Sequence, residues 1–356
     1  LSEKLKIGIT CGDLNGIGPE TIIRVLEDLR MQDHANIFIY ANNKALMFYR
    51  KKLNAQHFNF HTTDTIDKSN LKMINCIQCW EDTITIMPGT ATPQLGKYAF
   101  RSLERASVDL AQGKLHAIIT APINKQTIHS EYFPFKGHTE YFAERFHAEP
   151  LMLLVHHDLR VATVTTHIPV GDVAKNMSAE LIQKKIEILY NTLQSDFGII
   201  RPRIAVLGLN PHAGDDGLIG HEEKTIIIPA IFIYKNQKKL VYGPFPADGF
   251  FAKQSYTKFD AILAMYHDQG LIPFKTIAQQ NGVNYTAGLP VIRTSPDHGT
   301  AYDIAGKGIA KLDSMRNAIF TAIDIYRQRK YHKEIHAHPL KREQVVIGGE
   351  DEIVTE

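Results

Sequence analysis

The sequence predicts an α/β fold of two α/β/α domains with a cleft between them, and three observations carry that expectation. Short apolar, β-branched runs alternate with longer stretches of helical periodicity along almost the whole chain, the pattern of parallel strands joined by covering helices. At 356 residues the chain is long for a single hydrophobic core, so two domains are expected. Several apolar runs also end abruptly at a glycine, proline or histidine, as strands do where an open α/β sheet presents its ligand-binding loops.

Taken in order, the first strand is expected over residues 6–10, and a helix over 19–31 opens on Pro19, whose fixed φ and missing N–H suit a first helical turn. Strands at 37–41 and 117–120 flank a helix at 94–112. A helix at 139–147 precedes strands at 151–156 and 161–165, and a helix at 179–194 follows them. Strands at 204–209 and 261–266 are separated by a helix at 222–234, and the last helix covers 314–327. Residues 55–88 are polar and irregular and read as an elaboration rather than core. Residues 345–352 read as a short strand and an acidic tail.

Composition excludes several classes of function. A formal net charge of +2 with dispersed basic residues leaves no footprint for nucleic acid. The longest apolar run, near residues 226–234, is interrupted by Pro229 and too short to span a bilayer, so no membrane association is expected. No apolar signal region precedes the first strand, and three cysteines do not suggest a disulfide framework; both point to the cytoplasm. Cys76 and Cys79 have redox or half-zinc spacing but lack a second pair, which favours small buried apolar residues.

Three histidines share one setting. His167 ends a β-branched run and is followed by Pro169. His212 (in Gly208-Leu209-Asn210-Pro211-His212) and His267 (in Tyr266-His267-Asp268-Gln269-Gly270) each leave an apolar run just before a glycine. A single histidine among seventeen is more often a hydrogen-bonded core or surface residue; the shared context suggests convergence on a divalent metal with an open position for substrate. The loop Gly12-Asp13-Leu14-Asn15-Gly16-Ile17-Gly18-Pro19 follows the first strand and is either a cleft lining or a tight helix entry; its glycine spacing is not that of a dinucleotide fingerprint. At Gly137-His138-Thr139-Glu140, His138 and Thr139 offer donors to a phosphate, or Thr139 simply caps a helix with Glu140 favouring its dipole. Lys275, Asn284 and Arg293 fall in a turn-rich stretch, 271–300, where they either clamp a phosphate and a carboxylate or lie solvated on the surface.

The segment from Asp297-His298-Gly299-Thr300 through Asp303-Ile304 to Ala310 is similar to the cofactor loop of the isocitrate and isopropylmalate dehydrogenase superfold, which binds a nicotinamide dinucleotide without a Rossmann fingerprint. Together with the Gly12 loop and the blocks at 120–125, 137–140, 165–169, 208–214, 243–248, 266–270 and 288–310, it resembles the 4-hydroxythreonine-4-phosphate dehydrogenase family of vitamin B6 synthesis. The resemblance implies the isocitrate/isopropylmalate dehydrogenase-like fold, with 1–129 plus 299–356 as one domain and 130–298 as the other. It implies NAD as cofactor, on Gly12, Asp297, His298, Gly299, Thr300, Asp303 and Ile304, and one divalent metal (zinc, magnesium or cobalt) on His167, His212 and His267. Substrate contacts fall on His138, Thr139, Lys275, Asn284 and Arg293, with Asp248 in the same cleft and Asp248 and Lys275 as catalytic candidates. A homodimer with shared active sites is implied, His267 being assigned to the partner chain. The chain departs from the family at Leu14-Asn15, where Pro-Ala is usual, and at Tyr285-Thr286, beside Asn284.

The expected chemistry is oxidation of a phosphorylated β-hydroxy acid, with the new carbonyl acting as electron sink for decarboxylation. A sibling dehydrogenase of 4-phosphothreonate or a related sugar acid shares these motifs. A three-histidine metallohydrolase is disfavoured because no H-E-x-x-H or comparable motif is present, and a non-catalytic binding protein because the polar residues of the cleft are intact.

Overall fold

Strands that are covered on both faces must be apolar at nearly every position rather than at alternate ones. β1 (Leu5–Thr10) is buried at five of six positions and β2 (Ala35–Ala41) at all seven, so both lie inside a helix-covered sheet. The computed structural model describes residues 4–337, and the expected strand and acidic tail at 345–352 lie outside them. The remaining strands are β3 (Phe60–Thr63), β4 (Ile74–Gln78), β5 (Ala117–Thr120), β6 (Leu151–His156), β7 (Leu159–Thr163), β8 (Arg203–Leu207), β9 (Leu240–Phe245), β10 (Ala261–Ala264), β11 (Val283–Ala287) and β12 (Ile292–Pro296).

All twelve belong to one continuous sheet, in the order β3-β4-β2-β1-β5-β12-β11-β6-β7-β10-β8-β9. From β3 to β12 every neighbouring pair is parallel, as is every pair from β7 to β9. Three antiparallel pairings, β12 with β11, β11 with β6 and β6 with β7, join the two parallel blocks. The centre of the molecule is therefore an antiparallel seam. The long helix Asp313–Ala337 packs on β12, β5 and β11 at this seam.

Three expectations need correction. Residues 60–63 and 74–78 are strands at one edge of the sheet, with Cys76 and Ile77 fully buried, so the 55–88 stretch contributes core and not only elaboration. Its polarity comes from the connections, while each strand is only four or five residues long. Stretch 271–300 holds the helix His267–Ala278 and strands β11 and β12 rather than a run of turns. Pro273 and Gly270 both sit within that helix, where Gly270 lies close against Val161 and Ala264. The helix expected at 222–234 begins as a π-turn, Glu223–Ile227, and continues as Ile228–Asn236. Cys11 and Cys76 are buried thiols pushed up to about 12 by desolvation, in keeping with a packing role.

Candidate active site

Ten of the residues singled out from sequence line a single pocket of about 260 Å³: His138, Thr139, His167, His267, Lys275, Asn284, Arg293, Asp297, His298 and Gly299. Glu140, Lys125 and Thr120 complete its polar wall. The residues come from loops that leave β5, β7, β10 and β12 and from β11 and β12 themselves, so the seam and both parallel blocks contribute.

Arg293 dominates the electrostatics. It is 3% exposed, and its guanidinium donates only to hydroxyls: Nε and one Nη to Thr120 Oγ1 at 3.0 and 2.6 Å, the other Nη to Thr286 Oγ1 at 3.0 Å. Burial pushes its pKa down to about 9, against the smaller upward pull of Glu140. A charged group this buried without a carboxylate partner is costly, on the order of several kcal/mol, and calls for an anion. Thr286, one of the positions that departs from the family pattern, supplies part of its hold.

Unpaired polar atoms gather in the same place. His138 Nε2, Glu140 Oε2, Asn284 Oδ1 and His298 Nε2 are all buried without a hydrogen-bond partner, and all four residues line this pocket. Buried polar groups are ordinarily satisfied, so such a cluster marks where a ligand's atoms belong. Desolvation, with Arg293 and Lys125 nearby, holds the His138 imidazole well below the usual histidine range. It is therefore neutral, with one ring nitrogen free to accept and the other to donate.

His167 and His267 face each other with ring centroids 6.0 Å apart. Each has Nδ1 against a carboxylate: His167 with Glu140 Oε1 at 3.2 Å, His267 with Asp268 Oδ1 at 2.6 Å. A carboxylate on Nδ1 sets the tautomer and leaves Nε2 as the nitrogen for a metal, the arrangement that orients metal-ligating imidazoles. Sequence reading noted Glu140 only as a helix-start residue and passed over this pairing; no spacing rule connects residues 140 and 167. Gln269 explains the rest of the His267 motif: it accepts from Met265 N at 2.7 Å and donates to Gly208 O at 2.6 Å, tying the exit of β10 to that of β8.

His212 is not in this pocket, and among the described residues no group of three histidines, cysteines or acids is placed to hold a metal. It lies exposed at the start of five consecutive residues, His212–Asp216, in the left-handed region, in a loop pinned by Glu223 Oε1 accepting from Leu209 N and Asn210 N at 2.7 Å each. His167 and His267, expected to come from different chains of a dimer, line one pocket of this chain, and His212 is the histidine set apart. Asp248 is exposed on the helix Ala247–Ala252 and is also outside the pocket, contrary to expectation. That helix packs against the His212 loop, and the two follow the paired strands β9 and β8.

The expected cofactor residues divide. Asp297, His298 and Gly299 line the pocket; Asp297 pairs with Lys275 Nζ at 3.3 Å, and burial raises its pKa against that ion pair. A side chain at Gly299 would meet nothing within 4 Å, so the backbone there is open to a ligand. Thr300 instead braces the first loop, accepting from Ile17 N at 2.9 Å, while Asp303 is exposed and Ile304 packs with Ile17, Ala305 and Ala310. Gly12 is buried against Pro122: its φ is +64°, and a Cβ would stand 2.3 Å from the Pro122 carbonyl oxygen. It shapes the loop around Asp13, which accepts from Tyr302 Oη at 2.6 Å. Asn15, at the other departure from the family pattern, holds Met87 N and Thr90 O, both at 2.8 Å.

Fold and pocket together define an α/β protein with a buried cationic pocket beside paired histidines. The chain matches the family of the pyridoxal phosphate biosynthetic protein PdxA over residues 33–322 and belongs to that family, whose members are oxidoreductases. It is 49% identical over 343 residues to a 4-hydroxythreonine-4-phosphate dehydrogenase of Bacteroides thetaiotaomicron, covering 96% of this chain and 94% of that one. A putative D-threonate 4-phosphate dehydrogenase of Oceanobacillus iheyensis is 40% identical, with 91% and 99% covered. The crystal structure of 4-hydroxythreonine-4-phosphate dehydrogenase from Klebsiella pneumoniae superposes with a TM-score of 0.78 at 35% identity, covering 91% of this chain and 98% of that chain.

The His138 environment makes a direct prediction. Below the ordinary histidine pKa of 6.5 the unfolded chain takes up a proton at this residue and the folded chain does not, so His138 lowers stability as pH falls through that value. In the ligand-free protein, ring nitrogen NMR shifts should report His138 still neutral at pH 5.5. An ordinary titration midpoint would show that the pocket does not desolvate it.

Proposed function

We propose that this protein catalyses the NAD-dependent, metal-assisted oxidation of 4-phosphooxy-L-threonine to 2-amino-3-oxo-4-phosphooxybutanoate, which decarboxylates to 3-amino-2-oxopropyl phosphate on the way to pyridoxine 5'-phosphate. The observation that carries this reading is the buried, carboxylate-free guanidinium of Arg293 in the pocket shared by His138, Asn284, Lys275 and the two histidines. The family match and the named relatives agree with it.

The substrate has two anionic ends, a phosphate and a carboxylate, and Arg293 offers fixed positive charge to them, with the Lys275 amine in the same pocket. His138 and Thr139 at the start of the helix His138–Arg145 add neutral donors. Asn284 Oδ1 and Glu140 Oε2, unpaired in the free pocket, suit the substrate ammonium, which favours a phosphothreonine. The second reading, a dehydrogenase of 4-phosphothreonate, rests on the Oceanobacillus relative and requires a hydroxyl where that ammonium would sit.

His167 and His267 are the residues of this pocket that would hold a divalent cation, and imidazole donors suit zinc or cobalt better than magnesium. The unpaired His298 Nε2 and the open backbone at Gly299 fit a dinucleotide at the pocket mouth. A cation held there would supply charge to stabilise a developing alkoxide, and NAD would supply the hydride acceptor. Lys275 Nζ, steadied by Asp297, is the group of the chain's own pocket able to exchange a proton with the reacting hydroxyl. Glu140 and Asp268 hold the two imidazoles in the tautomer that leaves Nε2 free.

The third histidine is best supplied by a homodimer, as His212 of the partner subunit. In this chain His212 stands exposed on a loop and Asp248 on the helix packed against it, and the same part of the fold exposes Leu218, Ile228, Phe232 and Tyr242, an apolar surface suited to a second copy.

Arg293→Gln should lower kcat/KM for the phosphorylated substrate by roughly thirtyfold or more, from the loss of about 2 kcal/mol of charge-assisted binding, while KM for NAD stays near its original value. Equal effects on both constants would place Arg293 outside the substrate site. Assembly is tested by mixing inactive variants after dissociation. His212→Ala with His267→Ala should regain activity, roughly a quarter of sites being whole after random pairing, whereas His167→Ala with His267→Ala should not. Differential tags verify that heterodimers form; recovery in the second mixture, or none in the first, contradicts the arrangement.

A further inference from the structure

Side chains alternate across a strand, so neighbours along β6 and β11 serve opposite faces of the sheet. Met152 and Asn284 line the active-site pocket, whereas Val155 and Val283 line a second and larger one, of about 430 Å³, on the reverse face. This second pocket lies between the β6–β7 turn, the segment at Asp196–Phe197 and the helix Asp313–Ala337.

Its floor is apolar, with Phe197, Phe320 and Ile325 beside the two valines, and its rim is basic, with His156, His157, Arg160 and Arg327. Arg160 stands out. Its side chain is 11% exposed, its guanidinium lies 4.6 Å over the Phe197 ring, and its Nε is buried without a partner. One Nη donates to two backbone carbonyls, those of Asp158 and Asp260, at 3.2 Å each. The nearest carboxylate, Asp158 at 3.7 Å, is fully exposed, and a surface contact at that distance compensates a buried charge poorly. Of the acids of the pocket, Asp196 is engaged by Arg329 and Tyr285, whereas Asp324 stands exposed on the helix 3.9 Å from the equally exposed Arg327. Asp260 is taken by the Arg203 guanidinium and backbone.

We propose that this reverse-face pocket is a second ligand site, distinct from the catalytic one, that binds a small phosphate monoester with its anion on Arg160 and the His156/His157 rim and its organic body on Phe197 and Phe320. A tetrahedral dianion uses many donors at once, which the Arg160 guanidinium and two imidazoles provide, with Arg327 adding positive charge at the rim. The apolar floor and the volume leave room for a ring beyond the anion.

The test uses equilibrium dialysis of the full-length protein with inorganic phosphate, then with phenyl phosphate. Wild type should take up two phosphates per chain, Arg293→Gln one, Arg160→Gln one, and the double variant none. In the Arg293→Gln background phenyl phosphate should bind at least tenfold more tightly than inorganic phosphate. Loss of all binding on Arg293→Gln alone, a residual site indifferent to Arg160→Gln, or equal affinities for the two probes would overturn the proposal. Should Arg160→Gln fail to fold, the surface pair His157→Ala/Arg327→Gln in the Arg293→Gln background serves instead. It must weaken the residual site at least fivefold, and unchanged binding would count equally against the site.

Discussion

The structure turns on a buried positive charge that the protein itself does not neutralise. Arg293 comes from β12 and is held by a threonine of β5 on one side and a threonine of β11 on the other, the strands that flank it in the sheet. Hydroxyls fix the direction of the guanidinium but leave its charge uncompensated, so the free enzyme carries an electrostatic cost that an anionic ligand relieves. Neighbouring features follow from this. His138 stays neutral through burial and because a cation is already present, and the unpaired amide, imidazole and carboxylate atoms around it are left open to the polar atoms of a ligand.

The antiparallel seam makes that arrangement possible. Because β11 and β6 reverse the sheet between two parallel blocks, the loop after β5 and the ends of β11 and β12 meet the His167 and His267 loops, which belong to the other block. Gln269 then locks the His267 turn to the exit of β8, so the rigid loop bearing His212 is set relative to the pocket without entering it. One chain accordingly holds two imidazoles with carboxylates behind them and displays a third on its surface.

Much of this was legible in the sequence, and the failures have physical causes. The alternation of apolar runs and helical segments foretold the fold class and most of the parallel strands. It missed β11 and β12, because Val283–Ala287 carries Asn284 and Thr286, and Ile292–Pro296 carries a charged residue and a proline; both are dictated by the site rather than by strand propensity. The histidine motifs were visible because each follows a strand. Their grouping was not, since whether His267 or His212 lies beside His167 depends on strand order, which no local pattern encodes. Glu140 and Asp268 show a related limit: a carboxylate that orients an imidazole is recognisable only by distance.

The central claim is that the uncompensated charge of Arg293 makes the phosphate of the substrate the main source of binding energy. It is tested most directly by calorimetric titration of the wild-type protein with 4-phosphooxy-L-threonine and with unphosphorylated 4-hydroxy-L-threonine under the same conditions. The account predicts that the phosphorylated compound binds at least about a hundredfold more tightly, a difference of roughly 2.7 kcal/mol. Comparable affinities for the two compounds would contradict it.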